Sequence, residues 1–366
     1  MPTRDAAAYA ILTLLLLFVA VNLQAGWVYA VDALLIGFAV AGWVTTYAAV
    51  RPLPVSRSMP AEVVEGGTFP VTLMVGPVRW TRFFVQMTDE VPGCDPGGVF
   101  IPAVGRRAEA VTYHTTARRR GVHTVTSLEV RSEGVSGLFR LRRALAVPGA
   151  ITILPRYAAL RSFPLPGRRG QELTPFPQPA RTGVDVAGVR DFREGDDPTR
   201  IHWRSTARRG HLVVREFERE MMSGAALIID SRPLGDPEGF EDLIRAAASV
   251  SHFITHRGMP AIIAFSRGSR EAITTTGWMD ALRTLAAVER DGELTPSDLC
   301  AALPPGTPAV VFTPSADAAA AVAAGGTPVI AVLAGTESSG GLLLEAMGVP
   351  VRVLRPGEEV GACLES

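Results

Sequence analysis

Two long apolar stretches open the chain and fix what its first fifty residues can be. Residues 6–24 are almost wholly apolar, broken between Ile11 and Ala20 by Thr13 alone, and residues 33–50 carry no charge. Crossing the hydrocarbon core takes about 20 apolar residues, so each stretch with its flanks has the length of a transmembrane helix. Arg4 is offset by Asp5 and a second apolar stretch follows at once, which predicts a helical hairpin rather than a cleaved signal peptide. Trp27, Tyr29, Trp43 and Tyr47 suit the headgroup boundary or lie near it. Arg4 precedes the first stretch, Arg51 and Arg57 follow the second, and the expected turn holds Asp32 and no arginine. The excess of basic residues on cytoplasmic flanks then places both termini inside, in a multi-pass protein of the cell membrane whose soluble body is cytoplasmic.

Composition narrows the rest. At 366 residues the chain is long enough for two or three folded units. Hydrophobic residues make up 47% and charged residues 20%, and the mean hydropathy is +0.22, which agrees with a part lying in lipid. Thirty-six basic residues balance thirty-six acidic ones, so no overall field draws the chain to nucleic acid. Every basic residue is arginine, and a phosphate loop cannot be built without its lysine. Cys94, Cys300 and Cys363 are odd in number and far apart, which supports neither a disulfide framework nor a structural zinc site.

From Val55 to about Arg156 the pattern is one of strands. Phe69–Val75 alternates, as do parts of Thr81–Val91, Glu109–Thr116 and His123–Val130. Pro92-Gly93, Pro96-Gly97-Gly98 and Arg120-Gly121 read as the turns between them. Five or more short strands without a helix predict an all-β sandwich of about 100 residues. Arg156–Thr182, rich in Pro, Gly and Arg, reads as an extended linker, with Arg168 and Arg169 solvated.

The densest block follows. Gly188-Val-Arg-Asp-Phe-Arg-Glu-Gly-Asp-Asp-Pro-Thr-Arg-Ile-His-Trp-Arg-Ser-Thr-Ala-Arg-Arg-Gly210 runs on to Leu212 and Glu216. Asp197 before Pro198 is a capped helix start. The helix is expected to reach Arg209 and stop at Gly210, with a strand over His211–Phe217. Trp203 and Ala207 share one face at i, i+4, while Arg200, Arg204 and Arg208 share another. Nine arginines face eight carboxylates between Arg181 and Glu220, a net +1 that is no footprint for nucleic acid. Glu194, Asp196 and His202 are acid–base candidates, although Asp197 is already used as a cap. An arginine–carboxylate network that locks the block in place or presents a docking face, anchored by a buried Trp203, accounts for most of these residues.

This block resembles the signature of the bacterial family catalogued as domain of unknown function 58, roughly G-x-R-x-Y-x-x-G-D-D-x-R-x-I-x-W-x-x-S-A-R. The resemblance is strongest over about Gly183–Glu220 and rests on Arg190, Gly195, Asp196, Asp197, Arg200, Trp203, Arg204, Ala207, Arg208 and Glu216. That family commonly carries a sandwich ahead of the signature, with an R-G-x-Y turn and a D-P-F-G-L-F segment. This chain has Arg120-Gly121-Val122-His123 and Val135-Ser136-Gly137-Leu138-Phe139, keeping the Gly-Leu-Phe and not the Asp-Pro.

Beyond Ala225 strands alternate with helices. Ala226–Asp230, Ala261–Phe265, Ala309–Phe312, Val329–Leu333 and Val351–Leu354 read as buried strands. Phe240, Leu243, Ile244, Ala247, Val250, Ser251 and Ile254 follow helical spacing up to Gly258, and further helices fall near 278–290, 315–323 and 340–347. The alternation predicts an α/β fold with a mostly parallel, Rossmann-like sheet. It resembles a von Willebrand factor A domain, which the family often carries. In that fold D-x-S-x-S opens a metal site after the first strand. Here the segment is Asp230-Ser231-Arg232-Pro233-Leu234, with Arg232 and Leu234 where the serines would stand, and Arg232 opposes a cation. The metal site at Asp230 and Ser231 is therefore expected to be degenerate, and no cofactor is expected. Gly335–Gly341 lacks phosphate-loop spacing and reads as a turn.

The expected organisation is a transmembrane hairpin over 1–52, a β-sandwich over 53–157, linker and signature block over 158–220, and a degenerate von Willebrand A-like domain over 221–366. The resemblance implies a membrane-anchored, non-enzymatic adaptor working with a MoxR-type AAA+ ATPase and other membrane or envelope proteins. The competing reading is a hydrolase, using Glu194, Asp196 and His202 as acid–base groups or a metal at Asp230. No nucleophile elbow, H-E-x-x-H or phosphate loop supports it.

Overall fold

The structure, a computed structural model, describes residues 3–24, 26–166, 186–191, 203–217, 225–335 and 338–365. The chain divides into two compact units, Met1–Arg156 and Tyr157–Ser366.

The first unit opens with helices α1 (Arg4–Leu23) and α2 (Gly26–Ala49). Thr3 caps α1, its hydroxyl accepting from the Ala6 amide at 3.3 Å, and Gln24 ends it in the left-handed conformation (φ 47°). Tyr9 donates its hydroxyl to the Leu35 carbonyl at 2.9 Å, joining the helices. Both are long and apolar enough to cross a membrane. Their outward side chains, Ile11, Leu14, Phe18 and Leu34 among them, are at least 65% exposed. The structure corrects the expected turn. Asp32 lies inside α2, 2% exposed, because Gly26–Val31 already belong to that helix, and α1 ends ahead of it at Leu23.

Eight strands follow: β1 (Val55–Ser58), β2 (Glu62–Val64), β3 (Thr68–Val75), β4 (Arg82–Asp89), β5 (Gly97–Val104), β6 (Glu109–Thr116), β7 (Gly121–Ser132) and β8 (Leu141–Leu154). They form one sheet in the order β1-β3-β6 and another in the order β2-β8-β7-β4-β5. Alternation puts Phe69, Val71, Leu73 and Val75 of β3 inward, against Val85, Met87, Ile101, Leu128, Ile151 and Ile153. Each such burial contributes about 1.5–3 kcal/mol. Pro96-Gly97-Gly98 is not the expected turn, since Gly97 and Gly98 begin β5. Their glycines serve close approach: a Cβ on Gly97 would strike the Tyr113 ring, and one on Gly98 the Met87 carbonyl. The long β8 was also unforeseen, because Pro148-Gly149 imitates a turn. Pro148 instead sits where the β7–β8 register shifts, at a place that asks for no ladder amide.

A buried polar clamp joins the two sheets. Arg57 of β1 reaches across to Asp89 of β4, with Nε–Oδ2 at 2.8 Å and Nη2–Oδ1 at 2.6 Å, both side chains fully buried. Arg57 also donates to the Val147 carbonyl of β8 at 2.5 Å, and Tyr113 of β6 donates to Asp89 Oδ2 at 2.8 Å. Burial first, then the bond to Asp89, raises the Tyr113 phenol well above its ordinary range.

In the second unit β9 (Val186–Asp191) pairs antiparallel with β10 (Val213–Phe217), and α3 (Trp203–Arg209) lies between them in sequence. A six-stranded sheet then gathers β11 (Ala226–Ile229), β12 (Ala261–Arg267), β13 (Arg270–Thr276), β14 (Ala309–Thr313), β15 (Val329–Ala334) and β16 (Val351–Leu354). Its order is β13-β12-β11-β14-β15-β16, parallel throughout except for β13 at one edge. The helices are α4 (Pro237–Thr255), α5 (Trp278–Ala286), α6 (Pro296–Ala301), α7 (Ala316–Ala324), α8 (Ser338–Ala346) and α9 (Val360–Glu365). Asp236 caps α4, accepting from the Glu238 and Gly239 amides at 3.2 Å each, and Pro237 opens its first turn. Phe240, Leu243, Ile244, Ala247, Val250 and Ile254 form its buried face. β13, α6 and α9 were not foreseen. β13 is a largely exposed, threonine-rich edge strand without the apolar alternation that marks a core strand.

Candidate functional site

In an open sheet of this order the connections diverge on either side of the first strand, leaving a crevice at the carboxyl ends of β11 and β14. β11 is buried along its whole length, so the residues that follow it are drawn into that crevice. Asp230 and Ser231 are fully buried there, and Thr313 closes β14 beside them, also fully buried.

Asp230 is fully engaged by its neighbours. Arg232 presents Nε to Oδ1 and Nη2 to Oδ2, both at 2.8 Å, and Thr313 donates to Oδ2 at 2.7 Å. The Arg232 side chain keeps 21% of its surface exposed while the Asp230 carboxylate has none. The bond to Asp230 raises the Arg232 guanidinium above its ordinary range, with a smaller push from the charge of Asp298. Ser231 faces elsewhere: it donates to the Ser266 carbonyl at 2.7 Å and accepts from the Ser266 amide at 3.2 Å. Gly292 packs against both serines, where a Cβ would collide with their hydroxyls. Arg290 donates to the Leu234 and Gly235 carbonyls at 3.2 and 3.0 Å, pinning the loop that carries Arg232.

A hard divalent ion needs several convergent oxygens with free lone pairs. Asp230 offers both oxygens to a guanidinium, Ser231 is turned to the sheet, and Leu234 brings no oxygen on its side chain. The residues present do not fit such an ion. Among the described residues no cluster of three or more His, Cys, Asp or Glu could hold one. The site instead holds an internal ion pair of bidentate geometry.

The signature block is only partly described. Glu194, Gly195, Asp196, Asp197, Arg200 and His202 lie outside the described residues, as do Arg168 and Arg169. Gly210 does end α3, in the left-handed region at φ 77°, with its amide bonded to the Thr206 carbonyl at 2.9 Å. Antiparallel register sets Arg190 opposite Val214, and Gly188 opposite Glu216. Trp203 is the main correction. It was expected as a buried anchor but is 67% exposed, and Ala207 and Arg208 beside it are exposed too. Trp203 and Ala207, i and i+4 on α3, share an exposed face.

One cluster was missed. His252 and His256, one turn apart on α4, stack with ring centres 3.8 Å apart. Tyr157 stacks on His252 at 5.0 Å, and the Trp278 edge meets the two imidazoles at 4.8 and 5.9 Å. Burial first, then the neighbouring His256, lowers the His252 imidazole below its usual 6.5. The i, i+4 histidine spacing was the available signal.

The fold and pocket thus define a chain with two apolar helices, a β-sandwich and an α/β unit whose switch-point carboxylate is held by the protein's own guanidinium. The family described as "Protein of unknown function DUF58" matches residues 188–288. The chain is 24% identical over 161 residues to "Uncharacterized protein YeaD" of Bacillus subtilis (strain 168), a match spanning 43% of this chain and 39% of that protein. Among solved structures it is similar to murine CRIg at 13% identity and a TM-score of 0.14, over 26% of this chain and 95% of that one.

Proposed function

We propose that this protein is a membrane-anchored, non-enzymatic adaptor, whose degenerate von Willebrand A-like unit and signature segment dock a MoxR-type AAA+ ATPase. The observation that carries this reading is the exposure of Trp203, at 67%, beside Ala207 and Arg208 inside the segment that matches the family. A large exposed aromatic with arginine next to it has the chemistry of an interface hot spot. The sheet order and the position of Asp230 after the first strand support the von Willebrand A-like assignment, and the Asp230–Arg232 pair counts against a metal-dependent hydrolase at Asp230. α1 and α2 serve as the anchor, with Arg4, Arg51 and Arg57 on the cytoplasmic side.

The test is co-purification of the ATPase with the full-length protein and with Trp203→Ala and Arg208→Glu, each melted in parallel. Both variants are expected to melt within a degree or two of the parent, because exposed substitutions cost under about 0.5 kcal/mol. Both are expected to retain much less ATPase. Normal retention by both variants would end the docking assignment.

A further inference from the structure

We propose that the end of the β-sandwich from which α2 emerges is a platform for anionic phospholipid headgroups. This rests on the reading that α1 and α2 cross a bilayer. Strand register brings four segments to that end. Val55 pairs with Val75, Arg82 with Val104, Glu109 with Val75, and Leu141 with Ser132. Residues 51–54, 76–81, 105–108 and 133–140 therefore surround the base of the helices.

Their charge is one-sided. These segments hold Arg51, Arg79, Arg106, Arg107 and Arg140 against Glu133 alone. The connections at the opposite end (59–61, 65–67, 90–96 and 117–120) hold Arg118, Arg119 and Arg120 against Glu65, Glu90 and Asp95, and are balanced. Arg82 donates to the Arg51 and Pro52 carbonyls at 2.5 and 3.0 Å, holding the start of β4 against the end of α2. Burial first, then the like charge of Arg51, lowers the Arg82 guanidinium.

Apolar side chains accompany the charge. Trp80 is 77% exposed, with Arg79 over its ring at 5.9 Å, and Phe83 and Val135 are exposed nearby. The segment around Val135 climbs alongside α2. A Cβ on Gly42 would strike Ser136 and one on Gly134 would strike Thr46, while the Thr3 amide donates to the Leu138 carbonyl at 3.0 Å. Gly42 stands seven residues before the end of α2, or about 10 Å along the axis, which puts Val135 at the level of the stacked pair Trp43 and Tyr47. Indoles and arginines at one depth match the headgroup layer of an anionic leaflet.

Hydrogen exchange on the full chain in nanodiscs tests this, comparing phosphatidylcholine alone with a mixture containing phosphatidylglycerol. Amides of 76–81 and 105–108 are expected to exchange on the order of tenfold more slowly with the anionic lipid. High salt, or the triple variant Arg79→Glu, Arg106→Glu, Arg107→Glu, should abolish the difference while β3 and β6 stay protected. Equal exchange in the two lipids overturns the platform, and the parent comparison decides this even if the variant misfolds. A chain that does not enter the discs overturns the membrane reading, and the platform with it.

Discussion

The Arg232 guanidinium holds both oxygens of Asp230 from two residues away, through parallel contacts of 2.8 Å at the switch point of the sheet. A carboxylate that would otherwise face the crevice is neutralised within its own loop. Removing only the cation leaves a fully buried charge with Thr313 as its remaining side-chain donor. Arg232→Ala is therefore expected to cost about 3 kcal/mol, the lower end for breaking a buried pair because Arg232 keeps a partly exposed edge. Local opening measured by hydrogen exchange at β11 and β14 checks this. The double variant with Asp230→Ala should recover part of the loss, and an unchanged β11 would show that the pair holds nothing.

The clamp of Arg57, Asp89 and Tyr113 sets the stability of the sandwich. Asp89→Ala strands a buried guanidinium and is expected to cost about 3–5 kcal/mol. Tyr113→Phe removes one bond to a charged group and should cost about 1.5–3 kcal/mol. Thermal or denaturant unfolding followed through the exchange of β3 and β7 would rank them. The reverse order would place the stability elsewhere.

How much of this was legible depended on how local the cause was. The spacing from Phe240 to Ile254 specifies α4 within one stretch, and the structure has it. Alternation along Phe69–Val75 likewise specifies β3. Arg232 is legible as a charge opposed to any cation at Asp230, since only Ser231 lies between them. Arg57 and Asp89 stand 32 residues apart and meet only once two sheets face each other, so no spacing announces them. β5 was hidden because Pro96-Gly97-Gly98, read as a turn, serves close approach, and β8 because Pro148 sits at a register shift. Trp203 was misread because periodicity reports a shared face and not what covers it.

His252 makes stability depend on pH. Its folded value lies below the usual 6.5, so the unfolded chain binds the proton more readily as pH falls. The contribution is complete above about pH 6.5 and is lost as pH drops through the lowered folded value. Melting temperature should fall as pH drops below about 6.5, and His252→Gln should flatten that part of the profile. His256 and Tyr157 are the titratable groups against its ring, and an identical profile in the variant would assign the dependence to other groups.

The most direct measurement is calorimetric titration of the full-length protein with Mg²⁺, Mn²⁺ and Ca²⁺, run beside Asp230→Ala. The expected result is no binding heat at the switch-point pocket in either protein, because Arg232 and Thr313 already occupy both oxygens of Asp230. Stoichiometric binding by the parent that disappears in Asp230→Ala would contradict the internal ion pair and, with it, the reading of this unit as a scaffold.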